Sequence, residues 1–231
     1  MALRKIICIE DELLRKKSRP VEKFDEKLHK LLDDMAETMY NANGVGLAAP
    51  QVAVLRRVVV MDCGDGLIEM INPEILETEG EQDGPEGCLS VPGRRGMVKR
   101  PMKVRAKFQD RNGEWYEIEA EELLARCIMH ETDHLNGQLY VDIMSRELFD
   151  DDGLSSLRRA QGRRVLGGVH FIQRKRFAQR RARQQRKRQQ QGEETIAHPS
   201  YLISIRRLNS YYSTERAKTQ SSGAGEGAAA G

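Results

Sequence analysis

Long apolar runs are missing from this chain of 231 residues. No eighteen consecutive apolar residues occur, which excludes an obvious membrane-spanning helix. The start, MALRKIICIEDELLRKK, lacks both a long apolar segment and a small-residue cleavage site, so no secretory signal is expected. There are only four cysteines, Cys8, Cys63, Cys88 and Cys127, and they are scattered without a framework spacing. Reduced thiols in a cytoplasmic protein are therefore expected. Acid is absent from residues 155–191, which nonetheless carry thirteen Lys and Arg. That absence exposes a division hidden in the formal net charge of +3: residues 1–154 balance to −10 and residues 155–231 to +13. An acidic globular unit followed by a basic tail with a polyanionic partner fits this asymmetry.

Periodicity organises the first part. In 25–42, Leu28, Leu31, Leu32, Met35 and Met39 recur at helical spacing, which predicts an amphipathic helix ending near Asn43-Gly44. RRVVVMD (56–62) is short and β-branched and predicts a strand; LIEMINPEIL (67–76) predicts another, interrupted at Pro73. KVRAKFQD and EWYEIEA flank Arg111-Asn112-Gly113, a hairpin pattern whose Asn-Gly turn would use positive φ at both residues. In AEELLARCIMHETDHLNGQLY (120–140), Leu123, Leu124, Cys127, Ile128, Glu131 and His134 share a broad helical face, with Gly137 suited to the position past the helix end. Strands, a hairpin and two separated helices predict an α+β domain over 1–150. After Asp150-Asp151-Asp152-Gly153 the composition turns basic and low in complexity, so 151–231 is expected to be a largely disordered extension.

The stretch HETDH (130–134) carries the chemistry. Two imidazoles four residues apart leave one face of a helix and can hold one metal ion, while Glu131 can act on the ion's water as a general base. Against this stands an exposed polar helix with incidental histidines, but Leu124, Cys127 and Ile128 make the surroundings apolar. A tetrahedral hydrolytic site needs a third protein ligand. In one metalloprotease pattern it is a histidine downstream; here Tyr140 occupies that place, and Asp142, Glu147 and Asp150 fit no strong spacing. Upstream, Cys88 differs from the other cysteines, which read as buried small hydrophobes, because it follows Glu86-Gly87 in a small-residue setting.

Three stretches, GVGLAAPQ (44–51), EGCLS (86–90) and HETDH (130–134), resemble the three signature motifs of bacterial peptide deformylases, in the same order and at matching separations. VPGRRGMVKRP (91–101) is a lesser match, and the resemblance covers about residues 1–150. It implies antiparallel sheets around a central metal-binding helix. Cys88, His130 and His134 would bind one Fe2+, with Zn2+, Ni2+ or Co2+ as substitutes; a thiolate with two imidazoles suits such ions rather than Mg2+ or Ca2+. The implied reaction removes the N-formyl group from the initiator methionine of new polypeptides and releases formate. A metal-activated hydroxide would attack the formyl carbon, Glu131 would serve as base and then acid, and Gln51 and the Leu89 backbone N–H would stabilise the oxyanion. Gly44 and Gly46 would pair with an extended peptide, Val45, Cys127 and Ile128 would line the methionine pocket, and Arg95 would contact the peptide backbone. Arg94 reads as a solvated turn residue as readily as a ligand contact. The tail has three readings: a tether to ribosome or rRNA, a solvated disordered segment, or an abnormal extension from an altered reading frame. The rival functions are a ribosome-binding protein with a vestigial site and a metalloprotease, which the missing downstream ligand disfavours.

Overall fold

Asp25 opens the first helix, α1 (Glu26–Asn41), by accepting from Lys27 N and Leu28 N at 3.1 Å each. The helix buries Leu28, Leu31, Leu32, Met35 and Met39, the set its spacing predicts. It ends where Asn43 turns to φ 56° and Gly44 N bonds to Met39 O at 2.9 Å. The computed structural model describes residues 2–149 and, beyond them, 197–198, 201–202 and 204–207. The main sheet contains β1 (Gly46–Ala48), β2 (Val58–Met61), β3 (Ile68–Glu79), β6 (Lys103–Gln109), β7 (Trp115–Glu121) and β11 (Ser204–Arg207), in the order β1-β2-β3-β6-β7-β11. A second sheet orders β4 (Gln82–Cys88), β5 (Val91–Arg100) and β8 (Arg146–Leu148) as β4-β5-β8. The short strands β9 (Ala197–His198) and β10 (Tyr201–Leu202) pair with each other. Every pairing between named strands is antiparallel.

The second helix, α2 (Glu122–Leu135), is packed against the main sheet on the face opposite α1. Strand β2 shows why. Val58 and Val60 point into the core shared with α1, whereas Val59 and Met61 point into the core shared with α2. A strand covered on both faces needs an unbroken apolar run, because alternate side chains leave opposite faces.

Three expectations are corrected. Pro73 does not interrupt its strand. β3 continues through it, and the register shifts between Ile71 and Glu74, so the proline sits in a bulge where a missing N–H breaks no ladder bond. Asn72, at φ 51°, holds this bend: its side-chain oxygen accepts from Val21 N and its amide donates to Val21 O, both at 2.8 Å. The Asn-Gly turn is not a two-residue turn. Asp110 Oδ1 accepts from Asn112 N (2.8 Å) and Glu114 N (3.0 Å), and of the turn pair Gly113 alone has positive φ, at 86°. Leu123 does not join the buried face of α2; it is half exposed. Most of the expected 151–231 extension lies outside the described residues. Within the described part, β11 pairs with β7 in the register Ile205↔Ile118, and Ile205 is partly buried against the α2-side core.

Candidate metal centre

Helix α2 brings one wall of the site. Burial of Leu124, Cys127 and Ile128 fixes its rotation, and His130 and His134 then lie on one stripe, one turn apart. Gly137, at φ 79°, ends the helix; a Cβ there would overlap the Arg15 carbonyl. The hairpin β4–β5 brings the other wall. Its register shifts between Gly87 and Cys88, which turns the cysteine toward α2. Cys88 Sγ lies 3.2 Å from His134 Nε2, and the ligating atoms of Cys88, His130 and His134 all lie within 4.8 Å of one another. Among the described residues this is the one such grouping of potential metal-ligating side chains.

Each group is held by neighbours. Cys88 Sγ accepts from Ser90 N and from Gln51 Nε2, both at 3.4 Å. Gln51 is 1 % exposed; its Oε1 accepts from Ala48 N at 2.8 Å, which fixes its amide to face Cys88 and Ser90 Oγ. His130 Nδ1 donates to Glu86 Oε2 at 2.9 Å, leaving its other nitrogen for the centre. Glu86 also accepts from Arg100 Nε (2.8 Å), Arg100 Nη2 (3.1 Å) and Arg126 Nη1 (2.9 Å). Glu131 Oε2 and His134 Nδ1 are buried and have no hydrogen-bond partner among the described residues. Gly46 permits the approach of Glu131, since a Cβ there would overlap Glu131 Oε1 and lie 2.9 Å from Cys127 Sγ.

Charge states follow from these surroundings. Burial would raise the Glu86 carboxyl, but the His130 and Arg100 bonds outweigh it and hold it at about 2. Burial pushes Glu131 up to about 7, against the attraction of His130. Burial would lower His130, yet its bonds to Cys88 and Glu86 raise it to about 10. His134 falls well below its ordinary value through burial and the adjacent His130 charge. The two imidazoles are thus unlike, His130 being stabilised as the cation and His134 as the neutral ring. A thiolate and two imidazoles are the donor set of a soft or borderline divalent ion, and the residues fit one.

A cleft of about 540 Å³ opens over this centre. Gly44, Val45, Gly46, Gln51, Cys88, Leu89, Arg95, Cys127, His130 and Glu131 all line it. The Leu89 N–H makes no backbone bond among the described residues. Arg95 is exposed, without an ion pair among the described residues, while Arg94 pairs with Glu147 at 2.6 Å. Ile128 does not line the cleft: it is 1 % exposed in the core, because one residue beyond Cys127 turns 100° toward the sheet. Sequence reasoning missed Leu123 and Arg126 as lining residues. The alternative ligands are engaged elsewhere, Asp142 with Arg15 and Glu147 with Arg94, and Asp150 lies outside the described residues. Tyr140 stacks on His130 with ring centres 6.0 Å apart and donates its hydroxyl to Arg94 O at 3.0 Å.

An α+β fold in which a helical H-E-x-x-H faces a cysteine across a cleft defines a metallohydrolase. The polypeptide deformylase family model matches residues 3–149, and the chain belongs to that family. It is 57% identical to the peptide deformylase of Caldicellulosiruptor bescii over 162 residues, covering 70% of this chain and 96% of that protein. To peptide deformylase 1 of Clostridium acetobutylicum it is 62% identical over 142 residues, covering 62% and 95%. The crystal structure of the Thermotoga maritima peptide deformylase superposes with a TM-score of 0.62 at 45% identity, over 63% of this chain and all of that one. The Synechococcus elongatus enzyme in complex with actinonin gives 0.61 at 36% identity, over 72% and 91%. The chain is thus a metal-dependent enzyme that removes the N-formyl group from nascent polypeptides. No helix among the described residues is long and apolar enough to cross a membrane.

Proposed function

We propose that Cys88, His130 and His134 hold one Fe2+ and that Glu131 performs the proton transfers of deformylation. The carrying observation is the convergence of three ligand atoms within 4.8 Å beside a buried carboxylate oxygen with no partner among the described residues. A divalent ion held there supplies Lewis-acid activation of water and of the formyl oxygen. Glu131 takes a proton from the attacking water and delivers it to the amine nitrogen as the C–N bond breaks. The Gln51 amide, oriented by Ala48 N, and the Leu89 N–H donate to the developing oxyanion; one such donor is worth about 3 kcal/mol. The edge of β1, beginning at Gly46 and preceded by Gly44, accepts the substrate as an added extended strand. That pairing reads backbone, so side chains beyond the first matter little. Val45 and Cys127 receive the methionine side chain, joined by the half-exposed Leu123, and Arg95 contacts the peptide backbone. The enzyme works in the cytoplasm, where its basic 151–231 extension tethers it to the ribosome or rRNA through phosphate contacts.

Metal analysis combined with formate release from a formyl-Met peptide tests the assignment. Cys88→Ser is expected to fold yet lose most metal or activity. Normal metal content with normal turnover in that variant would overturn the ligand set.

A further inference from the structure

Arg126 lies one helical turn before His130, which lies one turn before His134. These three residues form a single stripe on α2, and β4 runs along it. His134 faces Cys88, at 3.2 Å between Nε2 and Sγ. His130 bonds Glu86, two residues earlier on β4, at 2.9 Å. Arg126 bonds the next position back on the same strand face: its Nη1 donates to Gly84 O at 3.3 Å, and its Nη2 to Gln82 O at 3.4 Å. Four residues of helix rise about 6.0 Å and two residues of strand about 6.6 Å, so the two elements stay in step over three rungs.

The first rung differs from the others. Gly84 offers no side chain, and an added Cβ would lie 3.0 Å from Arg126 Nη2. The guanidinium therefore grips backbone. It also donates to Val98 O on the paired strand β5 and to Glu86 Oε1, both at 2.9 Å, and the residue is 8 % exposed. Four acceptors on two strands converge on one side chain of the ligand-bearing helix. The strand it grips reads Gly84-Pro85-Glu86-Gly87, where proline lacks an N–H and glycine resists ordering.

We propose that Arg126 is a positioning residue that holds the Cys88 strand in step with the two histidines and so controls how tightly the metal is kept. The proposal rests on Cys88, His130 and His134 being the ligands.

The test uses the full chain loaded with Co2+, whose thiolate charge-transfer band reports the Cys88 bond, and the metal-free chain for amide exchange. Arg126→Met is expected to release Co2+ to a chelator about ten-fold faster, as loss of an outer-shell support typically does. Amides of 82–88 in metal-free R126M should exchange faster, with those of α1 unchanged. Arg126→Lys, which keeps a donor but reaches fewer carbonyls, should fall between. Wild-type release and wild-type exchange in R126M overturn the proposal. Should R126M fail to fold, Gly84→Ala decides: it leaves the guanidinium and displaces it, and a release rate equal to wild type sinks the idea. Failure of the ligand assignment would look different. Wild type would then take up no stoichiometric Co2+ with a thiolate band, or Cys88→Ser would keep that band, while the exchange comparison would still report on the hold of Arg126 on β4.

Discussion

Two buried glutamates flank the same pair of histidines, and their surroundings are opposite. Glu86 accepts from His130, twice from Arg100 and once from Arg126, and is held at about 2. Glu131 has one carboxylate oxygen with no partner among the described residues, and burial lifts it to about 7. A saturated carboxylate cannot exchange protons near neutrality, but it can fix the ring it binds. An unsaturated one keeps an oxygen open to a proton, the part proposed for Glu131. One side of the site is thus built for rigidity and the other, on the proposed reading, for chemistry, although both carboxylates come from the same residue type.

The sharpest way to break this comparison is Glu131→Gln. The amide is nearly isosteric and, on the proposed reading, is no ligand, so metal content should stay normal while turnover falls by about 10²-fold or more. Retention of more than about a tenth of wild-type turnover, measured as formate release, would remove Glu131 from the proton path. Glu86→Gln probes the other side. It presents a donor to a cluster that already supplies only donors, leaving Arg100 with Asp133, at 2.6 Å, as its remaining counter-charge. We expect a loss of about 3–5 kcal/mol in denaturant unfolding. Metal affinity should fall by about 10–100-fold through the loosened His130 ring. The acid limb of stability should change as well. A carboxyl held below its ordinary 4.5, at about 2, stabilises the fold above 4.5, and that contribution is lost as pH falls toward about 2. E86Q should lack this part of the acid dependence. Unchanged metal affinity and an unchanged acid limb would make Glu86 a bystander.

The two walls of the site were unequally legible for physical reasons. On α2, the 3.6-residue recurrence of Leu124, Cys127, Ile128 and Leu135 is local information, and the spacing of His130 and His134 follows from it. On β4, Gly84, Pro85 and Gly87 conceal a strand, because it is ordered by pairing with β5 and by Arg126 reaching across from α2. Both are tertiary, and no window of β4 contains them. The bulge at Pro73 was half legible: the proline signalled an irregularity, but the Asn72 bonds to Val21 that carry the strand through it span 51 residues. Ile128 was misplaced in the pocket because the apolar stripe is broad, and only the packed sheet decides which side of Cys127 faces it.

Ile128 and Leu123 sharpen that last point with smaller effects. Ile128→Ala should destabilise by about 2–5 kcal/mol with KM for a formyl-Met peptide unchanged. Leu123→Ala, half exposed at the rim, should leave stability within about 0.5 kcal/mol. It should raise KM about fivefold, the equivalent of roughly 1 kcal/mol of apolar contact. Reversal of this pattern would put Ile128 back in the pocket.

The smallest effect on hydrolysis is expected from the tail. Truncation after residue 152 removes β11, which sits at one end of the main sheet, whereas β1, whose Gly46 lines the cleft, sits at the other, with β2, β3, β6 and β7 between. Losing the partly buried Ile205 uncovers the edge of β7 and a little of the α2-side core, so a slightly lower unfolding temperature is expected. None of the described cleft-lining residues lies beyond 149, and hydrolysis of a short formyl-Met peptide should stay near the wild-type rate. Ribosome association should weaken, and in the full-length chain it should fall steeply with added salt, because each phosphate contact releases a counterion. A large loss of peptide hydrolysis would mean that β11 supports α2 through β7. Ribosome binding that ignores both truncation and salt would leave the thirteen cations of 155–191 without a polyanionic partner.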